Sequence, residues 1–163
     1  MIDALLVLTG PETLTPYQRL DRREKIAWFE QWLLRERQEE FPATEQLVDG
    51  LYLRTIVIPE GSVLTGEIHL RGHVSVVDGD ITIATEDDTK RLTGHHILIS
   101  KPGMKRVGWA HAKTTWTTIH ATALTEIARI PETLTTRIYP EIDAGPLPFD
   151  RRPGSMEVVC HSS

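Results

Sequence analysis

Between Tyr52 and Ala123, runs of Val, Ile, Thr and aromatic residues follow one another at short intervals with almost no helical periodicity between them. That texture constrains the fold more than any other feature of the chain. The strand-like runs are Tyr52–Pro59, Val63–His69, Val74–Val77, Ile81–Thr85, Arg91–Ile99, Lys105–Ala112 and Thr115–Ala123, rich in the side chains that suit a pleated, half-buried surface. Pro59-Glu60-Gly61, Asp78-Gly79-Asp80, Asp87-Asp88 and Pro102-Gly103 separate several of them and favour turns. A parallel α/β sheet needs a helical crossover between strands, and these gaps hold none. The stretch therefore predicts an antiparallel sandwich, jelly roll or small barrel.

The flanks read differently. Thr15 is placed to cap a helix, with Pro16 at its first position and Gln18 closing a capping box. From Leu20 to about Glu40, Leu20, Ala27, Trp28, Trp32, Leu33 and Leu34 gather toward one side while Arg22, Arg23, Lys25, Arg35 and Arg37 cover much of the rest. This predicts an amphipathic helix whose apolar stripe packs against a core or a second copy. Thr125–Ile130 predicts a short helix that stops before Pro131. From Thr136 onward, Pro140, Gly145, Pro146, Pro148, Pro153 and Gly154 oppose regular structure and predict an extended tail. The expected organisation is an arm and helix over residues 1–49, a β-barrel over 50–124, and a short helix with a Pro-rich tail over 125–163. At 163 residues the chain is one domain of ordinary size, able to bury its own core.

Charge narrows the classes of partner. The 18 Lys plus Arg against 23 Asp plus Glu give a net charge of −5, which offers no global attraction to nucleic acid or anionic lipid. The apolar stretch Ala4–Leu8 is too short for a membrane span or a signal-peptide core. The expectation is no nucleic acid, no membrane, no transmembrane segment and no signal peptide. A single cysteine, Cys160, cannot form an internal disulfide. No glycine pattern opens a nucleotide-binding helix, and no serine or cysteine has the local context of a nucleophile.

Chemistry concentrates in the histidines. His69, His73, His95, His96, His111 and His120, six of the 7 in the chain, fall in the strand-rich block. Glu67, His69 and His73 are separated by even steps, which on a continuous strand brings their side chains to one face. His111 and His120 lie on later strands and are candidates to complete a set. Neutral imidazole with carboxylate suits one divalent ion, zinc, iron, manganese or nickel, and leaves positions open for substrate or water. His95 and His96 are adjacent, so at most one of them looks inward. Arg106 and Lys105, with Trp109 and Trp116, offer an anionic small molecule charge, forked hydrogen bonds and a stacking surface.

Gly66-Glu67-Ile68-His69-Leu70-Arg71-Gly72-His73, followed by Val74–Asp78 and Gly79-Asp80, resembles the first motif of the cupin superfamily. The resemblance puts Glu67 and His69 on the two histidine positions of that motif, His73 on or near its glutamate and Gly79 on its turn glycine. Arg91-Leu92-Thr93-Gly94 through Pro102-Gly103 resembles the start of the second motif. Strict spacing for that motif's histidine lands on Val107, and the first histidine reached is His111. The string Lys101–His111, continuing through Thr115–His120, is similar to small cupin-like proteins of tailed bacteriophages.

The resemblance covers about residues 52–123 and implies a mainly β, cupin-like jelly roll (double-stranded β-helix), with the N-terminal amphipathic helix and the extended C-terminal tail outside it. Edge strands of such a sandwich need cover, which an apolar helix or an exchanged tail supplies, so a homodimer is the expected assembly. The phage similarity implies an accessory or virion-associated protein, in the host cytoplasm during infection or in the virion. Its role would be that of a non-catalytic binding or structural module toward a phage or host protein. The alternative is a metal-dependent cupin enzyme or small-molecule binder whose ion is held by His69, His73, His111, Glu67 and His120.

Overall fold

Three long strands set the architecture, and the first of them, His73–Ala84, alternates buried with less buried side chains along most of its length. A computed structural model describes residues 20–137. Helix α1 (Arg22–Leu33) precedes strands β1 (Ala43–Val48), β2 (Leu51–Ile58), β3 (Val63–Thr65), β4 (Ile68–His69), β5 (His73–Ala84), β6 (Thr89–Ser100) and β7 (Val107–Ala121). A 3-10 turn (Ile127–Arg129), helix α2 (Ile130–Leu134) and strand β8 (Thr135–Thr136) follow. The main sheet has the order β1-β2-β7-β5-β6, with β3 also on β7, and β4 pairs with β8 in a second, small sheet. All pairs are antiparallel.

Strand β7 joins two layers. One of its edges takes β3 against Val107–Trp109 and then β2 against Thr114–Ala121, while β5 follows the other edge. The expected mainly β, jelly-roll type of fold is what the chain adopts. Its core is built from the inward phase of these strands: Ile56 and Ile58 on β2, Leu64 on β3, Val77, Ile81 and Ile83 on β5, and Ala110 on β7.

The pairs of runs expected as separate strands, Val74–Val77 with Ile81–Thr85 and Lys105–Ala112 with Thr115–Ala123, are each one continuous strand. Asp78-Gly79-Asp80 is not a turn but runs on in the strand opposite a bulge in β7: the register goes Asp78↔Thr115 and then Asp80↔Ala112. Such a bulge bends a strand from one layer toward the next. Gly79 has φ 147°, and a Cβ there would lie 2.4 Å from Thr114 Oγ1 and 2.7 Å from Thr114 Cα. Gly79→Ala is therefore expected to destabilise the chain by about 2–3 kcal/mol. Urea unfolding followed by tryptophan fluorescence checks this; a midpoint equal to that of the parent chain would mean that β5 and β7 separate here at no cost.

Strand β1 was not expected. Its side chains are almost all exposed, so no apolar alternation marks it. The signal that was present is Asp49-Gly50, with φ 46° and 77°, the left-handed pair of a tight hairpin.

Helix α1 differs from expectation at its described end. The capping position Thr15 lies outside the described residues, and Asp21 is the N-cap of Arg22–Leu33. Glu24 N–H donates to Asp21 Oδ1 at 2.8 Å and Asp21 N–H to Glu24 Oε2 at 2.8 Å, a reciprocal capping box. The helix ends at Leu33, short of Glu40, where Gln38 Nε2 donates to Leu33 O at 2.9 Å. Ile26, Leu33, Phe29 and Trp32 pack on Val63, Ala84, Val107 and Trp109, the outer face of the barrel. Leu34, expected in that stripe, is exposed.

At the other end Ile130 and Leu134 close over Tyr52. Pro131 lies in the first turn of α2 and does not stop a helix before it; a missing N–H costs nothing in a first turn. The tail beyond 137, with Cys160, lies outside the described residues. Among the described residues no helix is long and apolar enough to cross a membrane.

Candidate metal centre

Three imidazoles meet where the two sheets face each other. His73 opens β5 and His120 nears the end of β7, and the register Val74↔Ile119 makes them cross-strand neighbours. His69 comes from the opposite side, on β4, which β8 fixes through His69↔Thr135. Gly103 N–H donates to His69 O at 2.8 Å, and Leu70 N–H to Leu134 O at 2.8 Å, which anchors β4 on both sides. The even spacing of His69 and His73 thus does not act along one strand: the chain turns through Leu70-Arg71-Gly72 and the two rings face each other from different sheets.

Ring centroids lie 3.9 Å apart for His69 and His73, 4.7 Å for His73 and His120, and 5.0 Å for His69 and His120. His69 Nδ1 is 2.9 Å from His120 Nε2. One nitrogen from each ring can be chosen so that all lie within 4.8 Å of one another. Ligation of one ion, with Zn–N of about 2.0–2.1 Å, would draw these nitrogens closer together.

Burial decides the protonation state. His73 and His120 are 5% and 3% exposed. Desolvation, reinforced by the like charge of the other imidazoles and of arginines nearby, pushes His69 down to about 3 and His120 down to about 4. Burial also lowers His73, against the raising effect of Arg71 O. All three rings are neutral at pH 7, the form that ligates a metal. His73 Nδ1 lies 3.3 Å from Arg71 O and so donates to it, which leaves the lone pair on Nε2. That Nε2 is buried with no hydrogen-bond partner. A ring nitrogen held toward a backbone carbonyl, with the other facing a cluster of imidazoles, is the arrangement of a metal ligand. The donor set fits a divalent ion.

The cluster borders a cavity of about 350 Å³. Tyr52, Glu45, Arg54, Arg106 and Trp116 also line it, over an apolar floor of Ile56, Ile58, Leu64, Ile81 and Ile83. Glu67 reaches the lining, but Thr135 Oγ1 donates to its carboxylate and Arg137 Nε donates to it at 2.9 Å. Burial raises its pKa and these hydrogen bonds outweigh that effect, holding it below the ordinary carboxylate range. His111 lies apart from the cluster. Its odd position on β7 sends it to the outer face, where Nε2 is 2.7 Å from Thr82 Oγ1 and the ring lies 4.2 Å from Trp109. His95 and His96 lie on β6, near Asp78 and Thr93 O respectively.

The same alternation divides the residues considered for an anionic ligand. Arg106 and Trp116 face the cavity, with the guanidinium carbon 5.8 Å from the Trp116 ring centroid. Lys105 and Trp109 face helix α1, where Lys105 Nζ pairs with Glu30. Sequence reasoning missed Tyr52, Glu45 and Arg54. The available signal was Arg54 in phase with Tyr52, Ile56 and Ile58, a cation in the inward row of a strand.

No protein-family model matches the chain, and no curated protein matches it. Among solved structures, a cupin-2 domain protein from Shewanella frigidimarina is 13% identical, with 61% of this chain and 96% of that chain covered and a TM-score of 0.42. A conserved protein with a double-stranded β-helix domain from Klebsiella pneumoniae is 14% identical, with 55% and 84% covered and a TM-score of 0.44. A Streptococcus pyogenes protein of unknown function is similar at 11% identity, 55% and 80% coverage and a TM-score of 0.42. These are likenesses of fold, and the chemistry rests on the residues described above.

Proposed function

We propose that this chain is a metal-dependent small-molecule binder, in which His69, His73 and His120 hold one divalent ion beside the cavity. The observation that carries the reading is the buried, unpartnered Nε2 of His73 inside a cluster of neutral imidazoles. An unsatisfied buried polar atom costs about 1–3 kcal/mol, and ligation removes that cost. A divalent ion held by three imidazoles keeps a coordination position for a ligand oxygen or water, which it polarises. The protein's own contribution is to keep the imidazoles neutral, to aim them from two sheets and to shape an apolar floor.

Elemental analysis of purified protein, equilibrated with zinc and desalted, tests this. About one zinc per chain is expected, falling at least about tenfold in His73→Ala and in His120→Ala, with His111→Ala unchanged. A folded parent chain without stoichiometric metal, or a His120→Ala variant that keeps it, overturns the reading. The rival reading, a non-catalytic phage accessory or virion module that works as a homodimer on a phage or host protein, draws on the Lys101–His120 string. Glu67 being already engaged by Thr135 and Arg137 favours it. It predicts metal-free protein.

A further inference from the structure

Arg106 carries a positive charge into the cavity, and among the described residues no carboxylate pairs with it. One terminal nitrogen donates to Ser100 Oγ at 2.6 Å, the cross-strand partner of His73, and the buried Nε makes no hydrogen bond. The two acidic residues on the lining are engaged elsewhere: Glu45 accepts from Tyr52 Oη and lies 3.8 Å from Arg54, and Glu67 accepts from Thr135 and Arg137. A guanidinium held this way, with a donor aimed at no acceptor, calls for an anion from outside. Much of the remaining wall is aliphatic, and the lining carboxylates disfavour a multiply charged guest.

We propose that the cavity binds a small organic monocarboxylate, its oxygens on the Arg106 guanidinium and its short apolar body against Ile56, Ile58, Ile81 and Ile83. This rests on the small-molecule reading above, but on a residue that the metal does not use. At about 350 Å³ the space is at the small end of ligand pockets. Trp116, beside the guanidinium, reports occupancy.

Calorimetry and tryptophan fluorescence with 3-methylbutanoate, its isosteric alcohol 3-methylbutan-1-ol and inorganic phosphate, on zinc-free and zinc-loaded protein, test this. The acid is expected to bind at least about tenfold tighter than the alcohol or phosphate in both forms. Arg106→Met is expected to erase the preference while zinc content stays constant. Equal binding of acid and alcohol, tighter binding of phosphate, or a preference that survives Arg106→Met overturns the proposal. The acid–alcohol comparison needs only the parent chain, so it stands even where Arg106→Met fails to fold. A chain that prefers the acid yet holds no zinc supports the carboxylate site and overturns the metal reading alone.

Discussion

Glu30→Ala is expected to destabilise the chain by about 3–5 kcal/mol, the scale of breaking a buried ion pair by removing one partner. Lys105 is 1% exposed, and its Nζ donates to both carboxylate oxygens of Glu30 on helix α1. Thr65 Oγ1 on β3 adds a hydrogen bond to the same carboxylate at 3.0 Å. Without that carboxylate the ammonium keeps its desolvation and loses its main compensation. The double variant Glu30→Leu with Lys105→Met should recover much of the loss, because replacing both ions by apolar groups removes the desolvation as well. Urea unfolding of the three chains measures this; a loss below about 1 kcal/mol in Glu30→Ala would mean that water reaches the pair. The pair also matters to the cavity, since Lys105 adjoins Arg106. Pinning one to the helix presents the next residue to the interior.

That alternation explains which parts of the site were legible. Strand-like texture between Tyr52 and Ala123 reports pleated, half-buried backbone, and the chain folds accordingly. Period two was visible within each run, but which phase faces inward was not; across the bulge, which adds two residues to β7, the inward positions stay odd on β5 (Val77, Ile81, Ile83) and even on β7 (Ala110, Trp116). So Lys105 and Arg106 read as one basic patch although they face opposite sides. His111 read as a partner of His69 although its odd position puts it with Thr82 and Trp109. The meeting of His69 with His120 depends on β4 pairing with β8, contacts between residues about seventy positions apart that no local pattern encodes. Glu30 could have been found: it lies four residues after Ile26 and three before Leu33, a carboxylate inside an apolar stripe. Its partner, 75 residues away, could not. The phage resemblance lives in one string of residues, and the geometry of the barrel has no bearing on it.

Acidifying the metal-free protein from pH 7 to pH 5 should cost it about 3–4 kcal/mol, through His69 and His120 together. The sign follows from the direction of both shifts. In the unfolded chain these histidines titrate near 6.5, whereas burial holds them at about 3 and about 4 in the fold. Above pH 6.5 both states are neutral and stability is level. Below it the unfolded chain takes protons that the folded one refuses, so stability falls by up to about 1.4 kcal/mol per pH unit for each ring. The fall ends only when the folded pKa values are passed. Urea midpoints at pH 7, 6 and 5 measure it, and His120→Gln should flatten the slope by about one proton. A parent midpoint that does not change between pH 7 and 5 would mean that the rings are solvated and the cluster is open to water. Zinc should raise every midpoint, because it binds the neutral rings that folding preserves. Since burial holds His69 and His120 at about 3 and about 4 and also lowers His73, metal should stay bound to lower pH than in an exposed histidine chelate at the ordinary pKa.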